Sequence, residues 1–308
     1  MAHTQNPPGS GLHVGVLGTG VMGGGMAHRL LEQGYRVTVY NRTASRVGPL
    51  VEEGATAVGS AAELAADCDV VLISLANEGV VDAMLFGPGG VFETLPEHGV
   101  VMDTSTVSPQ FARSESERAA ARGSAAVDAC VIGNGDHARA GELRFMVGGS
   151  AEAFARVSPV LEALSKEVRH LGGSGLGASA KVMLNLLMGA EMQMVAEAVV
   201  LARRAGIDRD LALQMIGDSG YSSPVMRFKT SVMRRRAYSA PQFRLDLMRK
   251  DLQLAVSEAG RLDVAAPVTT ATLDRLVQAA EAGLGDLDCA AVLAHAEALA
   301  GLEPRPVV

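Results

Sequence analysis

Apolar positions change rhythm along this chain. LHVGVLG (12–18) runs apolar as a buried strand does and passes directly into GTGVMGGGMAHRLLEQG (18–34). There Met22, Met26, Leu30 and Leu31 take helical spacing and Gly34 supplies a stop. YRVTVYNRT (35–43) predicts a second strand, SAAELAADCD (60–69) a Ser-capped helix and VVLISLA (70–76) a third strand. After another helix-sized interval come the strand GVVMDTST (99–106), the helix PQFARSESERAAARG (109–123) and the strand SAAVDACV (124–131). ELRFMVGG (142–149) and EVRHLGG (167–173) predict two further strands around a helix over 151–165. Strands separated by helix-length intervals mean βαβ units, hence a mostly parallel sheet covered on both faces.

The texture changes after the glycine-rich GGSGLG (172–177). From there the pattern predicts helices alone, over 177–205, 208–217, 222–235, 244–259, 265–281 and 285–299. The first is about 29 residues, roughly 43 Å at 1.5 Å per residue, long enough to leave one domain and become the spine of the next. The expected fold class is α/β: an N-terminal Rossmann-type domain over 12–175 and an all-α domain over 176–308, joined by the long helix.

Composition narrows the classes. Of 308 residues, 48% are hydrophobic and 20% charged, enough for a sizeable core. The net charge of -7 argues against a general nucleic-acid binder. One island departs from it: Arg227, Lys229, Arg234, Arg235, Arg236, Arg244, Arg249 and Lys250 against Asp246 alone, read mostly as a solvated helical face. Cys68, Cys130 and Cys289 lack metal-like spacing and suit reduced, buried thiols in a cytoplasmic protein, with no metal expected. The polar start MAHTQNPPGSG reads as a disordered lead-in, and no run is expected to approach the length needed to span a bilayer.

Gly18-Thr19-Gly20-Val21-Met22-Gly23 is GxGxxG, and here it ends a strand, opens a helix and precedes a second strand, the context a dinucleotide loop requires. Gly18 permits the turn, Gly20 admits a pyrophosphate and Gly23 lets helix and strand pack closely, while helix amides meet the phosphates. At the end of the second strand stands Asn41-Arg42-Thr43 in place of a ribose-binding carboxylate. Nothing there repels a 2′-phosphate and Arg42 can pair with one, so NADP(H) is the preferred cofactor and NAD(H) a possible one.

The long predicted helix carries an unexplained charge. Lys181, Asn185, Met188 and Met192 follow helical spacing, so the ammonium and the amide share a face, with Gly175 and Gly177 just before them. A lysine can protonate a developing alkoxide while a hydride arrives. It can equally snorkel over an apolar helix, and spacing alone leaves both readings open.

At this point the chain resembles the β-hydroxyacid dehydrogenase family, from about Leu12 to Leu299. The motifs that carry the likeness occur in order: GTGVMGGGMAHRL, NRT, DTSTVSP, DACVIGN, GELRFMVGG, GSGLGASAKVMLN and FRLDLMRKDLQLA. The resemblance implies Lys181 as the catalytic lysine and Asn185 as the substrate-facing asparagine. It implies cofactor contacts at Leu75, Ala76, Thr106 and Lys250, and active-site positions at Phe243 and Asp251. It also implies homodimers or homotetramers acting on a small-molecule substrate, while the charge and the apolar runs above predict neither nucleic acid nor membrane as partner.

The departures fall in the substrate loop. The family pattern D-A-P-V-S-G-G reads here Asp128-Ala129-Cys130-Val131-Ile132-Gly133-Asn134, so Ile132 replaces a hydroxyl, Gly133 is kept, and Asn134 offers donors. Leu75-Ala76 stands for the usual Leu-Pro, and Leu184 for the first asparagine of K-x-x-N-N. His137 falls near the rim as a loop histidine. The reading is an NADPH-preferring reductase of small aldehydes or keto acids, with Lys181 as proton donor or acceptor. The alternatives are an imine reductase on a more apolar substrate and a cofactor-binding regulatory protein without turnover.

Overall fold

The computed structural model describes residues 11–302, so the polar lead-in lies, but for Gly11, outside the described residues. The chain divides into two compact units, Met1–Lys181 and Val182–Val308. The first is built on eight strands: β1 (His13–Leu17), β2 (Arg36–Tyr40), β3 (Thr56–Ala57), β4 (Val70–Ile73), β5 (Val100–Asp103), β6 (Ala125–Ile132), β7 (Leu143–Gly148) and β8 (Ser165–Gly172). Their order is β3-β2-β1-β4-β5-β6-β7-β8. Every pairing is parallel except β6 with β7. The order reverses between β1 and β4, the switch point beyond whose carboxyl ends such sheets bind ligands.

Helices α1 (Val21–Glu32), α2 (Gly48–Glu52), α3 (Ala61–Ala65), α4 (Glu78–Phe86), α5 (Pro109–Ala120), α6 (Gly135–Ala140) and α7 (Ala151–Leu164) complete this unit before α8 (Leu176–Arg204) begins. Val14, Val16, Leu72, Met102 and Phe145 from the sheet pack with Met26, Leu30 and Leu161 from the helices, all buried. Each such side chain contributes roughly 1.5–3 kcal/mol. Most helix starts match their sequence signals: Ser60, Asn77, Ser108 and Ser150 each accept an amide of the first turn.

Some elements differ from the pattern. The two-residue β3 is too short to show periodicity, and α6 begins on a glycine inside what reads as loop. Helix α1 starts at Val21 because residues 18–20 form the turn that the glycines allow.

The second unit is helical: most of α8, then α9 (Arg209–Asp218), α10 (Pro224–Arg235), α11 (Leu245–Arg261), α12 (Pro267–Ala279) and α13 (Val292–Leu299). The last helix starts later than its pattern suggests because Asp288 caps a 3-10 turn, Cys289–Ala291, ahead of it. Met192, Val195, Ala196 and Val199 of α8 share a core with Leu245, Met248, Leu252, Leu276 and Leu293. Buried Glu297 ties this unit together, accepting Arg203 at 2.9 Å and Arg209 at 2.7 Å, with Arg236 at 3.5 Å.

Two expectations need correction. Helix α8 is long and apolar enough, by length and composition, to cross a membrane. Its apolar residues are accounted for in part by the core face just named, and buried Asn185 and Gln193 interrupt it. The basic island is not simply a solvated face either. Lys229 is buried and bonds both oxygens of Asp288 at 2.7 and 2.8 Å, while Arg244 and Arg249 pair with Asp286 and Asp246. All three cysteines are buried and free.

Candidate functional site

In the first unit the glycine loop crosses the carboxyl end of β1. Gly18 has φ +95, and a Cβ there would stand 2.3 Å from the Ser74 carbonyl oxygen. A Cβ at Gly23 would stand 1.9 Å from the Gly18 carbonyl oxygen, so helix and turn touch only because residue 23 is glycine. Gly20 is different. A Cβ there would meet nothing nearer than Arg46 Nη1 at 4.0 Å, which leaves the backbone open to an approaching group. Gly20 is also the N-cap of α1 and supplies no side-chain acceptor, in contrast to the Ser- and Asn-capped helices around it. The first-turn amides of α1 are thus available to an anion.

A cavity of about 290 Å³ opens at this point, lined by Thr19, Gly20, Val21, Arg46, Asp136 and Arg139 among others. Asn41 braces its floor: Oδ1 accepts the Thr19 amide at 3.2 Å and Nδ2 donates to the Thr43 carbonyl at 3.1 Å. Arg42 and Thr43 are exposed beside it. Arg46, which sequence reasoning missed, reaches the cavity because a 3-10 turn over Ala44–Arg46 folds the chain back, and Thr19 Oγ1 donates to the Arg46 carbonyl. A second arginine three residues past NRT was the signal that could have found it.

Leu75 and Ala76 follow β4, and Thr106 follows β5, so they stand at neighbouring carboxyl ends. The Leu75 amide donates to Ser105 Oγ at 2.9 Å, which couples the two ends. The loop expected to meet the substrate leaves β6 one strand further on. Ile132 is 37% exposed at its tip, and Gly133 turns with φ +145. Asn134 does not offer its side-chain carbonyl to a ligand. Oδ1 accepts the His137 amide at 3.0 Å, and the Asn134 amide donates to His137 Nδ1 at 3.2 Å, a reciprocal cap on α6. His137 is therefore a capping residue that accepts through Nδ1. Lys181, half-buried, donates through Nζ to the Val131 carbonyl at 2.9 Å, just before that loop.

Beneath these ends lie three buried carboxylates that the motif reading passed over. Asp103 of β5 and Asp128 of β6 are cross-strand neighbours, and Glu115 of α5 covers them. Asp128 accepts the Gly175 and Ala178 amides at 2.8 Å each. Burial pushes all three carboxyls up, Asp103 to about 6 and Glu115 well above its ordinary value; neighbouring carboxylates add to the shift of Asp103 and Glu115, while backbone amides oppose that of Asp128. Asp103 accepts the Ser105 amide at 2.8 Å through Oδ1, while Asp103 Oδ2 and Glu115 Oε1 are buried without a hydrogen-bond partner among the described residues. The clue was an Asp closing each of two apolar strands.

In the second unit Asn185, Lys250 and Asp251 come together. Asn185 Nδ2 donates to Asp251 Oδ2 at 2.6 Å, and Lys250 Nζ stands 3.0 Å from Asp251 Oδ1. Asn185 and Asp251 are buried and Lys250 half-buried. Phe243 is held elsewhere in this unit: its amide donates to Asp288 Oδ2 at 3.4 Å, and its carbonyl accepts the Cys289 amide at 2.9 Å. Among the described residues no group of three or more His, Cys, Asp or Glu is arranged to hold a metal ion.

A doubly wound sheet, an uncapped glycine-loop helix and a cationic cavity at the switch point define an NAD(P)-dependent oxidoreductase. Comparison with known proteins agrees. Residues 13–172 match the NAD-binding domain of 6-phosphogluconate dehydrogenase, and residues 175–296 match the NAD-binding domain of NADP-dependent 3-hydroxyisobutyrate dehydrogenase. The 2-(hydroxymethyl)glutarate dehydrogenase of Eubacterium barkeri is 34% identical over 94% of this chain and 97% of its own. The glyoxylate/succinic semialdehyde reductase 1 of Arabidopsis thaliana is 33% identical over 92% and 97%. The crystal structure of 3-hydroxyisobutyrate dehydrogenase from Salmonella typhimurium superposes with a TM-score of 0.86 at 31% identity, over 92% of this chain and 99% of that one. The chain belongs to the β-hydroxyacid dehydrogenase family, among the 3-hydroxyisobutyrate dehydrogenase-like enzymes.

Proposed function

We propose that this protein is an NADPH-preferring reductase of a small aldehyde or keto acid, with Lys181 as the proton donor to the carbonyl oxygen. The observation that carries the reading is the Lys181 ammonium 2.9 Å from the Val131 carbonyl, at the mouth of the substrate loop. A charged donor at that place stabilises the oxygen on which negative charge develops, and delivers the proton. Bound nicotinamide supplies the hydride. The relatives named above act on hydroxyacids and semialdehydes, which supports the substrate class.

Residues 12–175 are the proposed cofactor domain and 176–308 the proposed substrate and dimerisation domain. The first-turn amides of α1 hold the pyrophosphate, and Leu75, Ala76 and Thr106 flank the nicotinamide half. Arg42, Thr43 and Arg46 face a 2′-phosphate; the absence of a carboxylate at 41–43 supports NADPH over NADH. Asn185, oriented by Asp251, and Lys250 and Phe243 are the second unit's proposed contribution. Gly133 offers a backbone amide, and Ile132 removes a hydroxyl from the anionic end of the substrate, which favours a less polar substrate than the family's usual ones.

Lys181→Ala should lower turnover of glyoxylate or succinic semialdehyde by about 10²–10⁴-fold, with NADPH affinity close to wild type by calorimetry. Turnover kept by this variant overturns the assignment. Wild-type reduction of a cyclic imine without reduction of either aldehyde would replace the substrate class.

A further inference from the structure

One buried carboxylate takes no part in that chemistry and yet touches both elements that carry it. Asp128, in the middle of β6, is 4% exposed. Its Oδ1 and Oδ2 accept the Gly175 and Ala178 amides at 2.8 Å each. These amides open α8, where N–H groups lack partners inside the helix and negative charge is favoured. A second contact lies three residues further along each element. Lys181, three after Ala178, donates to the carbonyl of Val131, three after Asp128, at 2.9 Å. Strand and helix are fastened at two points, one a buried carboxylate and the other the ammonium itself.

Glycine makes the close approach possible. A Cβ at Gly177 would stand 2.3 Å from the Asp128 carbonyl oxygen, and one at Gly148 2.6 Å from Asp128 Oδ1. Both distances are far inside van der Waals contact, so α8 and β7 come this close to Asp128 only because these side chains are missing. An asparagine at 128 would keep the shape with half the acceptor capacity. Its amide NH₂ would face one of the two N–H donors, and the charge opposing the helix dipole would be lost.

We propose that Asp128 is a positioning residue for proton transfer: by holding the first turn of α8 on β6 it fixes the Lys181 ammonium at the mouth of the substrate loop. The proposal rests on Lys181 being the proton donor. A displacement of about 1 Å at such a group costs on the order of a hundredfold in rate. Asp128 acts on the reaction only through the lysine, so its effect depends on the lysine being present.

The test has two arms, both on the full chain. In NADPH-free protein, acetylation of individual lysines by an amine-reactive ester is followed by peptide mass spectrometry. Asp128→Asn should label Lys181 about tenfold faster, the equivalent of one charge-assisted hydrogen bond, with exposed Lys166 and buried Lys229 unchanged. In the second arm, Asp128→Asn should lower kcat about ten- to hundredfold, keep the NADPH Kd, and raise the deuterium isotope effect of hydride transfer. The same substitution should change the residual rate of Lys181→Ala less than about twofold. Unchanged Lys181 labelling overturns the proposal. So do Lys181 and Lys229 labelling that rise together, or equal losses in both backgrounds. If Asp128→Asn does not fold, Asp128→Ser, which retains an acceptor, goes through the same assays. Failure of both variants to bind NADPH makes the carboxylate a folding determinant and also overturns it. Turnover kept by Lys181→Ala instead overturns the proton-donor reading, and the labelling arm still decides whether Asp128 positions the side chain.

Discussion

Which arginine reads a 2′-phosphate in the proposed NADPH site can be decided by substitution. Arg42 is the arginine of the NRT motif, but Arg46 lines the cavity, with Nη1 4.0 Å from where a Cβ of Gly20 would lie. A 2′-phosphate within about 4 Å of that guanidinium would interact with it by roughly 1 kcal/mol in water and about 4 kcal/mol in the partly screened environment of a protein surface. Arg46 is exposed, so the lower half of that range applies. Arg46→Ala should therefore weaken NADPH by about 1.5–2 kcal/mol, roughly ten- to thirtyfold. NADH, which lacks the phosphate, should change less than about twofold if Arg46 reads that group alone. Arg42→Ala should also act on NADPH more than on NADH. Isothermal titration with both nucleotides at low and at raised salt measures this, and the NADPH preference should shrink with salt. Equal losses for the two nucleotides in Arg46→Ala would refute the reasoning, because Arg46 would then be holding the pyrophosphate common to both.

Two further outcomes follow from the same unit. Asp103 titrates at about 6 in the fold against an ordinary value near 3.8, so the folded state holds this proton more tightly than the unfolded chain does. Its contribution is fully present below about pH 4 and is lost as pH rises through 6, about 3 kcal/mol in all and roughly half of that between pH 5 and 8. Asp103→Asn can still accept the Ser105 amide, and should remove this part of the decline in urea unfolding between pH 5 and 8. Parallel declines in variant and wild type would show that Asp103 is not the titrating group. Ile132→Ser restores a hydroxyl at the exposed end of β6 and should raise kcat/KM for succinic semialdehyde about tenfold, the worth of one hydrogen bond to a charged group. An unchanged value would mean that a different donor already meets the carboxylate.

The first unit was legible where chemistry and periodicity coincide. The glycine loop combines a strand end, a helix start and glycines whose missing Cβ atoms the fold requires, so one short segment carries several independent signals. What escaped notice depends on distant partners or on length. The pair of residues in β3 is too short to alternate. Helix α6 is one and a half turns set by the Asn134–His137 cap, which looks like loop chemistry until the backbone closes. Lys229 reads as a surface cation because Asp288, its partner, lies 59 residues away. Arg46 was overlooked because an arginine's reach depends on a turn that only the tertiary fold defines.

The changes in the substrate loop leave the elements beneath it intact. Strand β6 carries Asp128, whose carboxylate meets the start of α8, then Val131, whose carbonyl meets Lys181, and only then Ile132 and Asn134. The first two contacts use buried groups, and neither depends on the side chain at 132 or 134. Ile132 points its bulk outward at the strand end, and Asn134 turns its acceptor to the cap of α6 rather than into the cleft. A residue can therefore change at the tip without moving the lysine, because position is set at Asp128 and at the Val131 carbonyl, earlier on the strand. On the proposed function, recognition and proton transfer are separable along a single strand. Substitutions at 132 and 134 should alter which carbonyl is reduced, mainly through kcat/KM for one substrate against another. Substitutions at 128 should alter how fast any of them is reduced.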